Sequence, residues 1–205
     1  MSPAAADPRE IVPQNSVLLG IAYMAAFSVT APGLDVFAKL AAATAPLGII
    51  VLSRFAVQIA LLGLAAMILR LRPPPREDLP WHLLRGVLVA CATLCFFAGL
   101  RRMPLADTIA IFFVEPLLLT ALSAIFLGET VGWRRWSACA VGFLGVLLVV
   151  QPNFLNAGPA ALFPLGAAAF FAVYLILTRR LSPRTDAIPM QLVSGISGGL
   201  VLALA

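Results

Sequence analysis

Apolar runs long enough to cross a bilayer recur along this chain, and that feature constrains its fold more than any other. The stretch Thr108 to Gly128, TIAIFFVEPLLLTALSAIFLG, carries a single charged residue, Glu115. A hydrocarbon core about 30 Å thick needs about 20 predominantly apolar residues per helix, and this stretch has that length and composition. Between charged or proline-rich breaks, helices are expected at about 17–40, 46–69, 83–100, 104–127, 133–150, 160–178 and 188–205. Of the 205 residues, 61% are hydrophobic and 11% charged, against about 25% charged in soluble domains. The expected class is therefore all-α: a polytopic transmembrane helix bundle of about seven helices in a lipid bilayer.

The net charge of +5 does not point to nucleic acid. The basic residues stand in short clusters between apolar runs, without the interleaved aromatics that stack on bases. Their use is topological. With the N-terminus in the cytoplasm, Arg9, Arg70, Arg72, Arg76, Arg85, Arg134, Arg135, Arg179, Arg180 and Arg184 fall inside, whereas only Lys39, Arg101 and Arg102 fall outside. Residues 1–16 then form a cytoplasmic tail, which lacks the basic stretch of a signal peptide, so the first helix stays uncleaved. The link RLRPPPREDLPWH, residues 70–82, should lie in water, with His82 at the interface beside Trp81.

Little here suggests catalysis. Cys91, Cys95 and Cys139 lie inside apolar runs, where they read as small packing residues, and a lone histidine makes no metal site. The chain contains no HExxH, GxSxG or GxxxxGK[ST] pattern. No enzyme activity, metal or cofactor is expected.

The charges inside apolar runs are more informative. Arg54 stands eight residues after Pro46 and Glu115 eleven after Pro104. At about 1.5 Å rise per residue both reach similar depths, about 12 and 16 Å, if both helices run inward. A central arginine costs roughly 2.5–3.5 kcal/mol on insertion scales, so it should face a partner or a wet cavity. Pro116 has no N–H to give the Phe112 carbonyl, so a kink is expected beside Glu115. Thr108 and Phe112 extend the same helical face, and Tyr174 is the later aromatic whose hydroxyl needs a partner. Arg54, Glu115, Thr108, Phe112 and Tyr174 are the candidate substrate-binding residues. The other reading is that Arg54 and Glu115 simply lock two helices together. Asp35 and Lys39, four apart, can pair with each other, and Pro32-Gly33 should kink the first helix.

Between Ala106 and Pro152 the sequence resembles the EamA-like transporters of the drug/metabolite transporter superfamily. The resemblance rests on Pro116-Leu117, on Leu127-Gly128-Glu129, on Trp133, and on Gly142-Phe143-Leu144-Gly145-Val146. Asp35 to Lys39, Arg54-Phe55, Met103 to Asp107 and YLILTRRL from Tyr174 extend it over most of residues 17–181. It implies ten helices in two five-helix repeats, both termini cytoplasmic, and a substrate cavity between repeats. Residues 17–152 would be the first repeat, and 160–205 the first two helices of an incomplete second, so the chain looks truncated; its last residues, VLALA, offer no interfacial anchor. Physically, Gly142 and Gly145 should let another backbone approach, and Gly195 and Gly199 form a GxxxG packing face. Gly128 suits a helix end, and Glu129 can join Arg134 and Arg135 in an interfacial charge cluster.

The function this implies is secondary transport of a small organic metabolite across the cytoplasmic (inner) membrane by alternating access, with proton coupling and exchange both open. The competing reading is a non-transporting fragment or a helical subunit that needs a partner; a homo-oligomer is compatible with either.

Overall fold

The computed structural model describes residues 46–126, 128, 131–150 and 158–204, with scattered helical positions between 18 and 40. The chain divides into a unit of Met1–Ala38 and a unit of Lys39–Ala205, and the helices below belong to the second. They are α1 (Leu47–Ile68), α2 (Leu79–Arg102), α3 (Leu105–Phe112), α4 (Glu115–Phe126), α5 (Trp133–Val150), α6 (Leu162–Leu181) and α7 (Ala187–Leu204). Short 3-10 turns at Arg76–Asp78 and Gly158–Ala161 precede α2 and α6. Five described stretches, Gly48–Ile68, Arg76–Arg102, Leu105–Phe126, Gly158–Leu181 and Ala187–Leu204, are long and apolar enough to cross a membrane. The architecture is a polytopic transmembrane helix bundle.

Local chemistry explains most boundaries. Pro46 and Pro104 sit just before α1 and α3 with φ near −55°, where a missing N–H costs nothing because the first helical amides have no internal partner. At the end of α1, Arg70 turns left-handed (φ 50°). Its N–H then donates to Met67 O and that of Leu71 to Ala66 O, which satisfies the last carbonyls. Gly128, just past α4, also has positive φ (64°), a conformation glycine adopts without a Cβ clash.

Two boundaries differ from expectation. The third apolar helix begins at Leu79, not 83, because Pro80 is tolerated in a first turn. Trp81 and His82 are therefore helical, and His82, expected at the interface, is fully buried. The run expected as one helix over 104–127 is instead two, broken at Phe113-Val114. Phe113 N–H still reaches Ile109 O, but Val114 N–H turns to Ile111 O, and Pro116 becomes the second residue of the new helix. The proline produces more than a kink, and it leaves Glu115 at the head of α4.

Helix α2 forms the centre, packed against both α6 and α7; α1 covers α7, α3 and α4 lie on α6, and α5 lies against α3 and α4. Beside a buried apolar core that includes Val51, Phe55, Phe97 and Leu100, several polar side chains are fully buried and many large apolar ones face outward. Arg85, His82, Thr108, Thr120, Ser123 and Ser194 are among the largest fully buried side chains, whereas Leu61, Met67, Leu148 and Leu204 are exposed. In lipid an outward leucine has nothing to gain from burial, while each polar group needs an internal partner. The buried threonines find theirs one turn back: Thr93, Thr108 and Thr120 donate to the carbonyls of Val89, Pro104 and Pro116.

Backbone proximity rests on specific glycines. A Cβ on Gly86 would collide with Ser197 Oγ and Ser194 O, and one on Gly198 with the Phe55 ring and Gly86 O, so α2 and α7 meet at Gly86 and Gly198. Gly195 and Gly199 turn toward Gln58 and Ile59 of α1, which covers the GxxxG face. Gly142 and Gly145, expected to admit a close backbone, have no described atom within 4 Å of a built Cβ.

Candidate functional site

Arg85, fully buried on α2, makes side-chain hydrogen bonds to two other helices. Its Nε donates to Thr178 Oγ1 at 3.0 Å. Nη1 donates to Met190 O (3.2 Å) and Ser194 Oγ (2.9 Å), and Nη2 to the Tyr174 hydroxyl (3.0 Å) and Gln191 Oε1 (3.4 Å). A guanidinium has five N–H donors, so every one is engaged. Among the described residues none of these partners is a carboxylate. The charge is instead dispersed over neutral oxygens and over the Tyr174 ring, whose centroid lies 4.7 Å from the guanidinium carbon. Thr178 and Tyr174 stand one turn apart on α6, and Gln191 and Ser194 nearly one turn apart on α7, so two helices close on α2 around one cation. One turn before Arg85, the buried His82 ring has no hydrogen-bond partner on either nitrogen among the described residues.

From Tyr174 a ladder of rings crosses the bundle. Tyr174 stacks on Phe171 (5.4 Å, 23° between planes), Phe171 meets Phe112 of α3 at 5.8 Å, and Phe112 meets Phe96 of α2 edge-on at 5.4 Å. Three residues beyond Phe112, past the helix break, stands Glu115. Among the described residues its Oε1 is buried with no hydrogen-bond partner. The ladder thus runs from the ring held by a saturated cation to Phe112, three residues before an acid with an unused oxygen.

The candidate residues read from sequence separate in space. Phe112 and Tyr174 belong to one ladder, and Glu115 follows it. Thr108 is fully buried, its hydroxyl committed to Pro104 O and its methyl near Gly99 of α2. Arg54 is exposed on α1, whose neighbours are α7 and α2, while α4 with Glu115 packs on α6 and α5. Among the described residues the two charges form no ion pair. Glu129, Asp35, Lys39 and Pro32 lie outside the described residues. Among the described residues no group of three or more His, Cys, Asp or Glu side chains could hold a metal ion.

Sequence reasoning missed Arg85 by counting it with the cytoplasmic cluster. A signal was present: four hydrogen-bonding side chains at helical spacing, Tyr174/Thr178 and Gln191/Ser194, inside runs otherwise apolar. Arg180 lies over Trp81 (5.5 Å), and Arg184 reaches Asp78 at 3.5 Å.

Comparison with known proteins agrees with this architecture. The EamA-like transporter family matches residues 17–151. The chain is 36% identical over 148 residues to a riboflavin transporter of Rhizobium johnstonii, covering 69% of this chain and 46% of the relative. It is 30% identical over 120 residues to an S-adenosylmethionine uptake transporter of Rickettsia bellii (58% and 41% covered). To a pseudopaline exporter of Pseudomonas aeruginosa it is 31% identical over 176 residues (83% and 59%). It thus spans about half the length of the curated relatives it matches. No solved structure matches it. On the strength of the family match over residues 17–151, the chain belongs to the EamA-like transporter family.

Proposed function

We propose that the chain works as, or within, a secondary transporter that moves a small organic metabolite across the cytoplasmic membrane by alternating access of two five-helix repeats, its N-terminus cytoplasmic. The observation that carries this reading is the buried, unpartnered Oε1 of Glu115 at a helix break beside the ladder of rings. A buried acceptor without a donor is costly in a static scaffold, about 1–3 kcal/mol. It is useful where a ligand or proton supplies the donor during turnover. Relatives named for riboflavin, S-adenosylmethionine and pseudopaline support a small organic substrate, and because both uptake and export occur among them, direction stays with experiment. Phe112 and Tyr174 supply faces for a flat or apolar portion of such a substrate, and Glu115 accepts its N–H or O–H.

The test is flux in proteoliposomes containing the full-length transporter, with labelled riboflavin and S-adenosylmethionine as first probes among a panel of small organic solutes. Saturable flux of a panel member, abolished by Glu115→Gln at unchanged membrane yield, is expected. Wild-type flux in that variant overturns the assignment. Orientation is checked separately: cysteines at positions 76 and 184 should label from the cytoplasmic side and one at 156 from outside.

A further inference from the structure

We infer that Arg85 is a positioning residue for the substrate-facing wall: it fixes the Tyr174 ring, and through that ring the aromatic ladder leading to Glu115. The inference rests on the proposed reading of Glu115 and its neighbouring rings as the substrate site. Three features carry it. First, Arg85 has no donor left for a ligand and is fully buried, so any influence on substrate passes through the groups it holds. Second, it holds Tyr174 twice, by the bond from Nη2 to the hydroxyl and by the guanidinium over the ring face. The hydroxyl in turn donates to Gln191 Oε1 at 2.8 Å, so a helix on each side pins the phenol. Third, the Tyr174 ring is the end of a continuous series of contacts. Phe171 lies nearly parallel to it, Phe112 follows, and Phe112 stands three residues before the acid. At 5.4 and 5.8 Å between centroids the rings are in direct contact, so the orientation of one bears on the next.

A purely structural arginine would tie α2 to α6 and α7 equally well through Thr178, Met190 and Ser194. It would not need Tyr174. The two accounts therefore part at the phenol.

The chain contains two tyrosines, Tyr23 and Tyr174. Protein labelled with 3-fluorotyrosine gives two fluorine resonances, that of Tyr174 identified by its loss in Tyr174→Phe. Arg85→Lys should shift and broaden the Tyr174 resonance and leave that of Tyr23 in place. Arg85→Gln, which removes the guanidinium but keeps an amide donor, should shift the same line and keeps the test available if Arg85→Lys does not fold. A Tyr174 line unchanged in a folded Arg85→Lys or Arg85→Gln protein overturns the inference. In the full-length transporter, Tyr174→Phe and Arg85→Lys should each raise KM by about two- to ten-fold, the worth of one hydrogen bond, with little change in kcat. Because they act through one contact, the double variant should be no worse than the poorer single. An unchanged KM in Tyr174→Phe likewise overturns it. If the fluorine line moves as expected while Glu115→Gln transports normally, the reading of Glu115 fails and the hold of Arg85 on Tyr174 stands.

Discussion

Arg85 holds the first ring of the ladder and Glu115 stands three residues beyond another, Phe112, and the two differ in one respect that assigns them different work. Arg85 has all five donors engaged across three helices, whereas Glu115 carries a buried oxygen with no donor. A charge in a low-dielectric interior is tolerable when its hydrogen-bonding capacity is used up, and expensive when it is not. The saturated group is therefore read as a fastening. The unsatisfied one is read as a place kept for something that comes and goes.

Their settings match that division. Arg85 lies on α2 one residue before Gly86, where α2 and α7 approach so closely that a Cβ would strike Ser197. Glu115 lies at a break between helices, beside a proline that cannot complete the helical ladder. Transporter binding sites favour such interrupted helices, because irregular backbone in a membrane is tolerated where it lines a cavity.

The largest expected effect is at the fastening. Arg85→Ala leaves five acceptors on α6 and α7 without their donor. At about 0.6 kcal/mol per interhelical hydrogen bond in a membrane, the loss is about 3 kcal/mol, to be read as a lower yield and a lower unfolding midpoint in detergent. Unchanged thermal stability would mean that the network contributes nothing and would erase the contrast with Glu115.

Gly86→Ala comes next. Its added methyl has no room beside Ser197 Oγ and Ser194 O, and overpacking of this kind costs about 1–3 kcal/mol. Gly142→Ala sharpens the point, because its Cβ meets no described atom. There the gain in helix propensity, up to about 1 kcal/mol, should leave stability equal or slightly higher. Equal destabilisation by the two would contradict the location of the tight seam.

How legible was this in the sequence? The apolar runs and prolines placed α1 and α3 through α7 within a few residues, because a helix in lipid must be long, apolar and internally hydrogen-bonded. The break at Phe113-Val114 was only half visible. Pro116 announces a disturbance, but whether it bends or divides a helix depends on how neighbours re-satisfy the freed backbone. Arg85 was misread for a related reason. Charge counting sees position along the chain, and Arg85 stands near a cluster expected to be cytoplasmic, but its partners are 89 to 109 residues away on two other helices. Arg54 shows the reverse error: its depth matched that of Glu115, yet similar depth on helices with different neighbours makes no pair. Phe112 and Tyr174 stood out because an aromatic ring or a hydroxyl inside an apolar run has few uses besides packing and contact, and the structure places both in one series of ring contacts.

The smallest expected effect on stability is at Glu115, and it is where the central claim is exposed. Glu115→Gln should shift the unfolding midpoint little, since Oε1 has no bond to lose, while transport fails because an amide cannot ionise. The most direct measurement is accessibility of single cysteines, placed at position 115 or at position 194 after Cys91, Cys95 and Cys139 are replaced, to a small water-soluble thiol reagent in intact membranes. The account predicts modification at 115 and protection at 194, where Ser194 lies sealed against Arg85. Protection at 115, or equal modification at both, would contradict it.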